Sequence, residues 1–134
     1  MAITQAIANA FKKQLLEGDQ NFSSGGDVFK LALYTSSATL NSATTSFTTT
    51  NEVANSGTYA SGGDPLTGQN TSIASGVAIV DFADLSFTGV TLTARGAMIY
   101  NTSSAVTNAA VAILDFGADK TATSGTFTIQ FPAF

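Results

Sequence analysis

From Val77 to Phe131 the chain runs as short apolar stretches separated by Gly, Asn, Ser or Asp. Stretches of that length fit strands and are too short for core helices. The spacing predicts strands over residues 77–82, 85–93, 97–101, 110–116 and 126–131. The last is the cleanest, because Phe127, Ile129 and Phe131 alternate with Thr126, Thr128 and Gln130. Side chains of a strand point alternately to its two faces, so one face is buried and the other is wet or interfacial. A sixth strand is expected over residues 28–35. Its Phe29, Leu31 and Leu33 share one face, Val28, Ala32 and Tyr34 the other, and apolar residues on both faces mark a central strand.

The segment before these strands carries a different period. Ile3, Ile7, Phe11 and Leu15 recur every fourth residue, with Ala6 and Ala10 beside them. This is the stripe of an amphipathic helix over residues 1–18, with Thr4 as a cap and Gly18 as a stop. A helix of that length is marginal alone in water, so its stripe must dock on the chain's own sheet or on a neighbouring subunit.

Residues 36–76 fit neither pattern. Thr, Ser, Asn and Gly dominate, and Phe47, Val53, Tyr59 and Leu66 are spaced widely enough to pin the segment at intervals. The turn Gly62-Gly63-Asp64-Pro65 gives it at least one reversal. A stretch of this length without secondary structure inside a compact domain is expected to be functional or ordered by partners. The residues Val77–Asp84 also echo Val111–Asp119, as two equivalent strands ending at Asp and expected to be neighbours in one sheet.

Six strands with short connections and no intervening helices predict a mainly β fold. The expectation is an antiparallel β-sandwich or open barrel with one N-terminal amphipathic α-helix and a long Thr/Ser/Gly-rich insertion, in a single domain over residues 1–134.

Composition narrows the function. Charged residues make up 10% of the chain, against about 25% in an ordinary soluble domain. The 20 Thr and 14 Ser cover the surface with neutral hydroxyls instead, and such a surface suits packed assemblies better than a free monomer. The four Lys and single Arg do not cluster, so no basic patch for nucleic acid exists. No stretch reaches membrane-spanning length, and residues 1–18 have no basic segment leading into an unbroken apolar run. Synthesis in a cytosol is the expectation.

Catalysis finds little to work with. The chain has no His and no Cys, so the usual nucleophile constellations and thiolate metal sites cannot be built. Any Ser–Lys pair is sufficiently explained by chance proximity. Asp81 with Asp84, or Asp115 with Asp119, are the candidate carboxylate pairs for a glycosidase. Their positions at strand ends and the absence of Trp favour turns. Glu52, Asp64 and Asn70 add oxygen donors for a hard cation but are scattered. Gly25-Gly26 and Gly62-Gly63 lack the Lys and the strand-to-helix context of a phosphate loop. Arg95, the only arginine, is expected to pair with an Asp within the subunit or across an interface. No catalytic, cofactor or metal site is predicted, and the chain is read as a non-enzyme.

Several segments together resemble a group of small structural proteins of tailed bacteriophages. They are the opening MAITQAIANAFKKQLLEG, the strand VFKLALYTSSATLN, the middle TTNEV and GTYASGGDPLTG, the strand ARGAMIYN and the closing LDFGADKTATSGTFTIQFPAF. The resemblance spans nearly the whole chain and carries no motif of known activity. It implies a virion component, and best a head decoration or cement protein that binds the lattice of the major capsid protein. Such proteins commonly assemble as symmetric oligomers, often trimers. It implies assembly in the bacterial host cytoplasm and a place on the capsid surface. A tail, neck or fibre component, with host-surface binding as one role, is the alternative. The candidate contacts between subunits are Ile3, Ile7, Phe11 and Leu15 of the predicted helix with Phe47 and Tyr59 of the middle segment.

Overall fold

A computed structural model describes residues 2–131 of the chain. Its strands all pair antiparallel, in a five-stranded sheet of order β1-β7-β6-β2-β3 and a separate two-stranded ribbon of β4 and β5. The elements are β1 (Ala6–Ile7), α1 (Asn9–Leu16), β2 (Phe29–Tyr34), β3 (Asp64–Pro65), β4 (Asn70–Ala74), β5 (Val77–Asp81), β6 (Leu85–Asn101) and β7 (Ala109–Ile129). The mainly β, antiparallel class expected from the alternation is therefore present, with one short helix.

The helix is shorter than its stripe predicts. It starts at Asn9, and Ala8 precedes it in extended backbone with no side chain capping the first turn, so Thr4 does not cap it. Ile3 and Ile7 lie outside it. The amide of Thr4 donates to the Leu40 carbonyl at 2.9 Å, and Ala6 and Ile7 pair with Ile113 and Ala112 at the edge of β7. β-Branched residues favour extended backbone, and a sheet edge offers hydrogen bonds that a lone marginal helix cannot match. The stop at Gly18 is as expected: its φ is +77°, and the next amide, that of Asp19, closes on the Gln14 carbonyl at 2.9 Å.

Four predicted strands merge into two. Residues 85–93 and 97–101 form one strand, β6, and residues 110–116 join most of 126–131 in β7. Arg95 and Gly96 do not break the ladder, and the stretch after Phe116 bulges instead of turning: Ala94 faces Lys120, whereas Gly96 faces Asp115. Three residues are thereby in excess on β7, which bends the pair without ending it. β2 lies between β6 and β3, as the apolar residues on both its faces require.

The middle segment is not one loose insertion. It contains β3 and β4, and Val53, Tyr59 and Leu66 are buried while Phe47 is half-buried. The echoed segments are not neighbours either, because Val77–Asp81 pairs with β4 in the ribbon whereas Val111 lies in β7 of the main sheet. Aromatic rings close one end of the core. Phe22 stacks on Phe29 at 4.2 Å, Phe11 meets Phe22 edge-on at 5.7 Å, and Phe82 bridges to Phe131 at 5.8 Å. Aromatic pairs at such offsets add about 0.5–1.5 kcal/mol each beyond the area they bury.

Candidate interaction surface

Three polar nodes hold the segments around the sheet, and they engage the three Tyr, the single Arg and three of the nine carboxylates. At the first, the Glu52 carboxylate accepts from Tyr59 Oη at 2.7 Å, Ser61 Oγ at 2.8 Å and the Gly62 amide at 2.6 Å. Tyr59 Oη in turn accepts from the Leu33 amide at 2.8 Å, which ties the middle segment to β2. Tyr100 Oη donates to the Gly62 carbonyl at 2.6 Å and Tyr34 Oη to the Thr48 carbonyl at 2.6 Å. Burial raises all three phenols above their ordinary pKa, Tyr100 to about 12, and the Glu52 charge adds to the shift. Gly63 sits where a Cβ would lie 1.7 Å from the Leu31 carbonyl oxygen, so only glycine allows this segment to close on β2.

At the second node the fully buried Asn101 donates through Nδ2 to Gln20 Oε1 at 2.8 Å and Asp27 Oδ2 at 2.7 Å. Its Oδ1 accepts the amides of Ser103 and Ser104. Gln20 Nε2 donates to Gln14 Oε1 at 2.7 Å, which joins α1 to the hairpin end of β6. Among the described residues no buried side-chain polar atom lacks a partner. At the third, Arg95 Nε donates to Asp115 Oδ1 at 2.9 Å, and the Gly117 amide donates to the same oxygen at 2.9 Å. The contact runs through Nε rather than as a bidentate fork. The Arg95 hydrogen bond, then that of Gly117, lowers the Asp115 pKa below its ordinary value.

Two further carboxylates serve the backbone. Asp81 accepts the amide of Phe82 and Asp84 that of Phe131, while Asp119 is exposed on the bulged stretch of β7. Among the described residues no group of three Asp or Glu comes together as metal ligands would.

What remains without intramolecular explanation is apolar and faces water. The ribbon β4–β5 turns at Ser75-Gly76, where both residues have positive φ, 50° and 77°, the geometry of a tight two-residue hairpin turn. It is clamped at its base, where the Ala83 amide donates to the Thr67 carbonyl at 2.8 Å. Beyond that clamp Ile73 is 80% exposed and Val77 60%, with Val80 also exposed. Leu16, at the end of α1, is 92% exposed. Between α1 and the ribbon lies a groove of about 680 Å³, lined by Phe11, Leu15, Phe22, Ile73, Ala78 and Val80 among others.

The candidate contacts from the sequence divide. Ile3, Phe11 and Tyr59 belong to the chain's own core, and Phe47 is half-buried with its ring stacked on Tyr100 at 4.6 Å. Ile7 and Leu15 remain half-exposed, and only Leu15 borders the groove. Leu16, Ile73, Val77 and Val80 lie outside both the helical stripe and the anchors of the middle segment. For Ile73, Val77 and Val80 the signal is the absence of any charged residue between Asp64 and Asp81, with a Ser-Gly turn at the centre of an apolar stretch. Comparison with known proteins returns no matching family model, no matching curated protein and no matching solved structure.

Proposed function

We propose that the chain is a structural protein of a bacteriophage virion, a decoration or cement protein that assembles as a symmetric homo-oligomer, with a trimer as one form, on the major capsid protein lattice. It is made and assembled in the bacterial host cytoplasm and resides on the capsid surface. The observation that carries this reading is the projecting ribbon β4–β5. A two-stranded ribbon is at best marginal alone in water, and exposed aliphatic side chains along it call for a covering surface. The neutral hydroxyl-rich exterior supports the same reading, since complementary packing over a lattice is not opposed by like charge. The polar nodes support it too, because they engage Glu52, Asn101 and Asp115 in fixing segments to the sheet. The bulges that bend β6 and β7 favour an open barrel over a flat sandwich for the sheet.

Copy number in purified particles tests the proposal. Copies in proportion to capsid subunits, located on the head by labelled antibody or image reconstruction, are the expected result. Copies confined to the tail would replace this reading with the tail, neck or fibre role.

A further inference from the structure

We infer that the ribbon β4–β5 is a hinged flap, whose inner face closes on α1 and shuts the groove between them in the unassembled chain. The device needs no partner, so it is independent of the surface on which the chain assembles.

Both walls of the groove are apolar, and both meet water. Thr71, Ile73, Ala78 and Val80 share one face of the ribbon, because opposed residues of a ladder point the same way and alternate along it. All four line the groove, whereas Ala74 and Val77 of the other face do not. The opposite wall is Phe11, Leu15 and Phe22. Phe11 and Phe22 are fixed in the core, edge-on at 5.7 Å, but Leu15 is 46% exposed and Ile73, across the groove, 80%. No charged side chain lines the space of about 680 Å³ between the walls. Apolar surfaces facing each other across water are driven together, and protein interiors retain few gaps larger than a water molecule. Closing the ribbon on α1 removes this gap with residues already beside it.

The ribbon is the wall that can move. Its two feet are anchored: Leu66 and Phe82 are buried, the Leu66 amide donates to the Phe29 carbonyl at 2.8 Å, and the Phe82 ring meets that of Phe29 at 6.0 Å. Beyond the feet, neither β4 nor β5 packs extensively on another element. Mobile segments are drawn from regions with so few tertiary contacts. Gly68, with φ of +64°, lies where the chain leaves its anchor at Leu66 for β4, and a few residues at the ends of elements suffice as a hinge. The direction of swing is set by Gln69, whose Nε2 donates to the Ser23 carbonyl at 2.9 Å. That bond ties the base of the ribbon to the residue beside Phe22, on the α1 side of the groove. Val77, 60% exposed on the outer face, stays in water on closure and remains for the covering surface of the assembly.

Nuclear Overhauser contacts in the native chain test this. The Leu15 methyls are expected to contact those of Ile73 and not those of Val77. Mixing isotope-labelled with unlabelled copies shows whether the contact lies within one chain. Its absence, or its presence only between copies, overturns the inference. Cross-linking tests the same closure by a second route, since the chain has no cysteine. A disulfide forms only when the two Cα atoms come within about 7 Å, so Leu15→Cys/Ile73→Cys is expected to close an intramolecular bridge at least about tenfold faster than Leu15→Cys/Val77→Cys. Equal rates overturn the inference. Should either double variant fail to fold, the contacts in the native chain decide.

Discussion

At the scale of single residues the buried tyrosines define how the molecule responds to pH. The chain has three Tyr, and the pKa of each is raised in the folded state. A group with a raised folded pKa favours folding fully below its unfolded pKa, near 10, and that contribution falls as pH rises toward the folded value. Stability is therefore expected to hold between neutrality and about pH 10 and to decline above it. Denaturant titrations across that range check this, and near-ultraviolet absorbance should show tyrosinate only as the protein unfolds. Normal titration of even one Tyr in the folded protein would contradict its burial. Tyr59→Phe removes the hydroxyl shared by Glu52 and the Leu33 amide and is expected to lower stability by about 1–3 kcal/mol in urea unfolding, because a buried donor and acceptor lose their partner. None of this was legible in the sequence. Glu52 reads there as a scattered oxygen donor and Tyr59 as a subunit contact, since a hydrogen bond between distant segments leaves no local pattern.

At the scale of elements the informative case is α1. The i, i+4 recurrence of Ile3, Ile7, Phe11 and Leu15 is real, but a period describes a helix only where the backbone is helical. Here Ile3 and Ile7 are held extended by Leu40 and β7, and the helix buries Phe11 and Gln14. Within the helix, the direction of burial is thus set by Phe22 and Gln20, partners beyond the stripe. Two substitutions separate these views. Phe11→Asp is expected to destabilise the fold by several kcal/mol, because its carboxylate would lie against Phe22. Leu16→Asp should change stability by no more than about 0.5 kcal/mol, as at other exposed positions. Denaturation midpoints of the two variants compare them directly, and equal losses would mean that the whole apolar surface of the helix is buried. The strands were more legible: alternation located β2 and the apolar parts of β6 and β7. Their fusion was not legible, because Gly, Ser and Asp mark bulges as readily as turns.

At the scale of the whole molecule the structure separates into a bent sheet with its pinned segments and a ribbon that departs from it. The ribbon contributes no ring to the aromatic cluster and shares no ladder with the main sheet. Its base is already closed by the Thr67–Ala83 hydrogen bond. The echo between Val77–Asp84 and Val111–Asp119 predicts them as neighbours in one sheet, but residues 77–81 pair with β4 and not with the main sheet. Replacing residues 70–81 by a short Gly-containing turn should therefore leave the domain folded, since nearly all of the buried residues lie outside the excised stretch. The far-ultraviolet spectrum should retain its β character, and the thermal midpoint should shift by only a few degrees, the equivalent of about 1 kcal/mol for a chain of this size. Attachment to particles is expected to be lost in the same variant. Collapse of the fold on excision would instead show that the ribbon is part of the core.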